Sequence, residues 1–172
     1  MATLHDRLQG TWRLESYVSH PTANSTIRRP TFPMTKIVSG LLIYSSDGYM
    51  SAQLQIPGDR KDAATSSLSE PQWSELAKRS FTYAGPFYIS NEGPGKEEVL
   101  RHSFELCILP NRDGEVEVRS WKFEEDGEVL VLGGEETVVM KAEERIPVLR
   151  WRRVEDNKGA TLPERAPDIK VG

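Results

Sequence analysis

Nine stretches of strand-forming residues, separated by clusters of turn formers, restrict this chain to an all-β architecture. They cover residues 11–19, 37–44, 49–55, 81–90, 98–108, 114–123, 128–132, 136–142 and 148–154. Ser46-Asp47-Gly48, Asn91-Glu92-Gly93-Pro94-Gly95, Asn111-Arg112-Asp113-Gly114 and Glu125-Asp126-Gly127 punctuate them. Short strands broken in this way pair antiparallel. About eight or nine of them make a sheet wide enough to close on itself, which removes exposed edges. A barrel of that size holds either packed side chains or one small ligand, so the polar residues within the strands decide what the protein is for.

The stretch GLLIYSSDGYMSAQL, residues 40–54, shows how the inner wall is chosen. A three-residue Ser46–Gly48 loop with a glycine bulge sets Tyr44 beside Met50. A four-residue loop sets it beside Tyr49. The first register is expected, because it turns Leu42, Tyr44, Met50, Ala52 and Leu54 inward together and leaves Gln53 outside. One helix interrupts the strands near residues 69–79: Ser69 and Gln72 have capping-box spacing, and Pro71 sits in the permissive first turn. Trp73, Leu76 and Ala77 give it an apolar stripe suited to plugging or covering a barrel end. Residues 2–9 are expected to form a short helical turn, and residues 20–34, rich in Pro, Ser, Thr and Asn, a long loop.

Length and charge narrow the function. The chain has 172 residues, consistent with one domain over 1–154 followed by a polar tail over 155–172. A net charge of −4 offers no excess cation for phosphate neutralisation, so a nucleic-acid partner is not expected. The single cysteine, Cys107, precludes an internal disulfide and any multi-thiolate site. Neither an apolar leader nor a membrane-spanning run is apparent, and the expected location is cytoplasmic. His5, His20 and His102 lack metal-ligand spacing, and there is no glycine-rich phosphate loop or nucleophile elbow. Neither metal nor cofactor is expected.

Several residues within the strands carry usable chemistry. Alternation puts Leu100, His102, Phe104 and Leu106 on one face of 98–108 and Cys107 on the other. His102 on an apolar face is either a general acid or base in a pocket or a core histidine satisfied by a neighbour. Arg119 alternates with Trp121 and Phe123. It either holds a ligand oxygen or pairs with Glu105 or Glu117 for structure, since a desolvated guanidinium requires a partner. Tyr44, Tyr83, Phe87 and Tyr88 are candidates for an aromatic wall, with ordinary strand packing as the alternative for each.

In order along the chain, GTWRLESY, GLLIYSSDGYMSAQL, FTYAGPFYI, the strand containing His102, VEVRSWKFEEDGEVLVL and LRWRRV resemble the lipocalin-like domain family from about Leu8 to Val154. The resemblance implies a calycin-type antiparallel β-barrel with an internal cavity. It also implies a structural clamp in which an arginine of the last strand, among Arg150, Arg152 and Arg153, covers Trp12. Some fungal relatives are associated with cofactor-independent cyclisation or isomerisation. On that basis His102, Arg119 and Tyr83 are the expected catalytic groups, and Tyr44, Met50, Phe87, Phe104 and Trp121 the expected substrate contacts. The expected partner is a small hydrophobic metabolite, either converted as cyclase or isomerase substrate or only bound. A homodimer through an outer barrel face is compatible with the chain, although no residue pattern singles it out.

Overall fold

A computed structural model describes residues 2–58, 69–91 and 98–161. Eleven antiparallel strands form one sheet: β1 (Gly10–Pro21), β2 (Ser39–Tyr44), β3 (Tyr49–Gln55), β4 (Ser80–Asn91), β5 (Glu98–Ser103), β6 (Leu106–Cys107), β7 (Val116–Arg119), β8 (Trp121–Glu124), β9 (Val129–Gly133), β10 (Val138–Met140) and β11 (Glu143–Arg153). Nine of them run in the order β7-β5-β4-β3-β2-β1-β11-β9-β8, with β10 on β11 and β6 on β4. The two ends of this path are joined by Ser120 alone, so the sheet curls into a nearly closed barrel. At the seam the Trp121 indole N–H donates to the carbonyl of Glu98, 2.9 Å away, tying β8 to the start of β5.

The hairpin has the expected register. Tyr44 pairs with Met50, Gly48 takes φ +89°, and Leu42, Tyr44, Met50, Ala52 and Leu54 are buried. Two predicted strands are instead divided. The 98–108 strand breaks after Ser103, where the Phe104 N–H turns to Glu115 O (2.8 Å) and the Glu105 N–H to Ala84 O (3.0 Å). The break is possible because Gly85 on β4 has no side chain: a Cβ there would overlap the Ser103 carbonyl oxygen. Beyond it the faces exchange, so Leu106 is exposed and Cys107 packs against the core, the reverse of simple alternation. The 114–123 strand breaks at Ser120, whose hydroxyl and N–H both donate to the Glu136 carboxylate. Arg119 and Trp121 therefore lie on different strands with different neighbours.

The two ends of the barrel differ. Helix α1 (Leu4–Leu8) closes one end, with Leu4 and Leu8 buried and Leu8 O accepting from Trp12 Nε1 at 2.8 Å. Arg153 lies 4.0 Å over the Trp12 ring and donates to the Arg7 and Gln9 carbonyls, which makes it the arginine clamp. Arg150 and Arg152 instead pair with Glu15, Glu124 and Glu125 outside the barrel. Helix α2 (Glu70–Ala77) starts at the expected Ser69–Gln72 box, but none of its residues is buried. Its predicted apolar stripe is exposed at Trp73 and Leu76, and only its last turn reaches the barrel opening. The loop after β1 is drawn onto the sheet by buried Arg145, which donates to the carbonyls of Ser19, Ile27 and Arg29. Most of the connector at 58–67, the turn at 91–95 and the end of the tail lie outside the described residues.

Candidate functional site

A cavity of about 670 Å³ occupies the half of the barrel opposite α1. Its wall is mostly apolar: Leu54 from β3, Phe81 from β4, Leu132 from β9, and Pro147 and Leu149 from β11. Pro33 and Met34 of the long loop, with Ala77 and Lys78 at the end of α2, frame its opening. The volume falls within the range of about 300–1,000 Å³ typical of small-molecule sites. Among the described residues, Tyr17, Ser80, Tyr83, Arg112, Glu117 and Arg119 interrupt the apolar wall, and the indole edge of Trp151 adds a further polar group.

Behind Tyr83 runs a buried polar chain. The Tyr44 hydroxyl lies 2.7 Å from His102 Nε2, and the Tyr83 hydroxyl 3.3 Å from His102 Nδ1. Strand pairing produces this arrangement. His102 sits opposite Phe87 on β4 and opposite Glu117 on β7, while Tyr83 lies four residues before Phe87 on the same inward face. His102 is fully enclosed, and burial, aided by the Arg119 charge, drives its pKa well below the ordinary value, so the ring is neutral. Burial likewise raises the Tyr44 and Tyr83 phenols. Tyr17 is pushed up to about 12, chiefly by burial. All three remain protonated near neutral pH.

The chain continues into an ionic group at the chamber wall. Arg119 faces the Tyr83 phenol and pairs with Glu117, which also accepts from Arg112 at 2.6 Å. Burial alone would lower the Arg119 pKa, but Tyr83 and Glu117 hold it above its usual value, so it stays charged. Two donors in this wall have no hydrogen-bond partner among the described residues: Arg119 Nε and Trp151 Nε1. Buried donors are nearly always paired, so these two are the donors of the wall left free to bond a group in the chamber.

A comparison with known protein families matches residues 9–154 to the lipocalin-like domain. The chain belongs to that family. No curated protein matches it. Within this lipocalin-like barrel the expected site residues divide into two layers. Tyr83 and Arg119 line the chamber; His102 lies one layer behind, contacting it only through Tyr83. Tyr44 is deeper still, in edge contact with Phe87 at 5.0 Å. Phe87 in turn stacks on His5 of α1, and Met50 is buried across from Tyr44. Phe104 supports Tyr83 from beneath, its ring stacked at 4.2 Å, and Trp121 packs at the seam. None of Tyr44, Met50, Phe87, Phe104 and Trp121 is part of the chamber wall: the first four belong to the packed core, and Trp121 packs against it. Tyr88, outward on β4, is exposed.

Among the wall residues outside the expected set, Trp151, Tyr17 and Arg112 carry polar groups. Trp151 follows from alternation along β11 with Leu149, which its neighbours Arg150 and Arg152 obscured. Tyr17 is hidden by a bulge: Leu14 pairs with Trp151 and Ser16 with Arg150, so Glu15 is an extra residue. The inward face of β1 therefore changes from Trp12 and Leu14 to Tyr17 and Ser19. Arg112 projects from a turn whose sequence gives no hint of it.

Proposed function

We propose that this lipocalin-like barrel binds a small hydrophobic molecule in the chamber, holding it by its apolar skeleton and orienting it by hydrogen bonds from the wall. One observation carries the reading. A mostly apolar cavity of about 670 Å³ presents two buried donors, on Arg119 and Trp151, that no described protein group satisfies. An apolar guest with an accepting oxygen resolves both features at once. The test is titration with N-phenyl-1-naphthylamine, a neutral fluorophore that brightens in apolar surroundings. Wild type should bind it saturably, and Leu149→Trp, which fills the chamber from β11, should weaken binding at least tenfold without lowering stability. Equal binding by both proteins removes the chamber from the proposal.

A second reading is catalysis, in which the barrel steers a cyclisation or isomerisation of its guest without a cofactor. It is favoured by the placement of Tyr83, a phenol on the chamber wall backed by His102 and by the Arg119 cation. A hydrogen bond from such a group to a substrate carbonyl strengthens as electron density builds on the oxygen, and one well-aimed donor is worth about 3–4 kcal/mol. Enclosure of a flexible enone or polyene supplies the reactive fold. The test compares product ratios from a reactive intermediate of this class with wild type, Tyr83→Phe and Arg119→Met. Ratios identical to those without protein exclude turnover and leave binding alone.

A further inference from the structure

We infer that the guest is a hydrophobic organic oxyanion, an apolar skeleton ending in negatively charged oxygen, received by a wall that offers donors and positive charge at that end. The inference rests on the reading of the chamber as a guest site and specifies what that site selects. Its first support is the hydrogen-bond polarity of the buried chain. Among the described residues the Tyr44 hydroxyl has one hydrogen-bond partner, His102 Nε2. If Nε2 carried the ring proton, the Tyr44 O–H would be a buried donor with nothing to donate to. Satisfying it requires Nε2 to accept, which places the single proton of the neutral ring on Nδ1. Nδ1–H then points at the Tyr83 oxygen, which also faces the Arg119 guanidinium, a group with donors only. With its oxygen flanked by donors on both sides, Tyr83 is left with its own O–H to offer, and it lines the chamber.

The second support is the set of unpartnered groups. Arg119 Nε and Trp151 Nε1 can only donate; among the described residues the one other buried atom of this wall without a hydrogen bond, Glu117 Oε2, is an acceptor, and it is already engaged by the Arg119 guanidinium in their ion pair. Tyr83, Arg119 and Trp151 thus meet a guest with three donors and no obligatory acceptor. The third is charge. Among the described residues Glu117 is the one carboxylate in the wall, shared between Arg112 and Arg119. Arg112 has a second partner in Glu115 at 2.7 Å; among the described residues Arg119 has no carboxylate besides the shared Glu117. A largely desolvated guanidinium that shares its counter-ion favours an additional negative charge over a neutral group.

Two probes with one skeleton test this. N-phenyl-1-naphthylamine is neutral, and 8-anilinonaphthalene-1-sulfonate adds a single oxyanion to it. Dissociation constants are measured by fluorescence titration for wild type, Trp151→Phe, Arg119→Met and the chamber-filled Leu149→Trp, from low to high salt. Wild type should prefer the anion at least tenfold, and the preference should persist at high salt, because enclosed charges are poorly screened. Trp151→Phe and Arg119→Met should each reduce the preference threefold or more while leaving the neutral probe within twofold, and Leu149→Trp should weaken both probes together. Trp151→Phe removes the N–H with little loss of packing, so it reports even if Arg119→Met is unstable. Equal affinities in wild type, or a preference that both substitutions leave intact, overturn the oxyanion assignment while the guest site stands. Failure of Leu149→Trp to weaken either probe overturns the guest site itself.

Discussion

Tyr44→Phe tests the buried chain directly, because it deletes one oxygen and nothing else. Tyr44 is 1% exposed and His102 0%, so water cannot replace the lost phenol. Removing it leaves His102 Nε2 as an enclosed acceptor without a donor. An orphaned buried polar group costs about 1–3 kcal/mol, roughly 2–12 °C in melting temperature for a chain of this size. Pairing the change with His102→Leu turns the cost into a coupling. The double variant has no orphaned nitrogen, and Tyr83 keeps its Arg119 neighbour at the chamber wall. Its loss should therefore fall short of the sum of the single losses by about 1 kcal/mol or more. Urea unfolding of the four proteins, with slopes compared to confirm a common transition, measures every corner of the cycle. Tyr44→Phe as stable as wild type, or strict additivity in the cycle, refutes the claim that Tyr44 satisfies His102.

Four further outcomes follow from the same structure. His102 titrates near 6.5 when unfolded and well below that when folded, so below about pH 6.5 the unfolded chain binds the extra proton. Wild-type stability should fall as pH drops through that window, by at most about 1.4 kcal/mol per pH unit, and urea unfolding of His102→Leu should lack that component of the slope. Tyr17 has its phenol raised to about 12, so ultraviolet titration should show one fewer late-ionising tyrosine in Tyr17→Phe, with ionisation of the wild-type group accompanying loss of structure at alkaline pH. Gly85→Ala places a Cβ against the Ser103 carbonyl and 2.8 Å from Glu105 N, both backbone, so it should lower the urea midpoint by the equivalent of about 1–3 kcal/mol or more. Arg153→Met removes the cation over Trp12 and the donors to Arg7 and Gln9, and hydrogen exchange should show α1 opening faster while the amides of β4 and β5 keep their protection.

What could be read from the residues is the set of decisions made locally. The 40–54 hairpin was legible because one register buries Leu42, Tyr44, Met50, Ala52 and Leu54 together, and the barrel places all five inside. The Ser69–Gln72 box was legible for the same reason: cap chemistry acts over one turn. What alternation misassigned lies where tertiary contact overrides it. Glu15 adds a residue to β1 and exchanges its faces; Gly85 lets β5 cross close to β4 and exchanges the faces of Leu106 and Cys107; Ser120, held by Glu136, separates Arg119 from Trp121. Each break falls beside the boundary between chamber and packed half. Tyr17 enters the wall through the first, Phe104 comes to lie beneath Tyr83 at the second, and Arg119 ends β7 at the third.

That coincidence has a geometric consequence. A barrel on this scale either fills with its own side chains or encloses one small ligand, and an interruption of the alternation offsets the row of inward residues at the border between the two halves. The three interruptions therefore do more than blur a sequence pattern. On one side Trp12, Tyr44, Phe87 and Leu100 fill the packed half; on the other Tyr83 and Trp151, buried in the same core cluster, border the chamber together with Arg119. His102 belongs to the first half and acts on the second only through the Tyr83 oxygen. Its replacement should therefore alter the strength of the hydrogen bond that Tyr83 offers a guest more than the shape of the chamber.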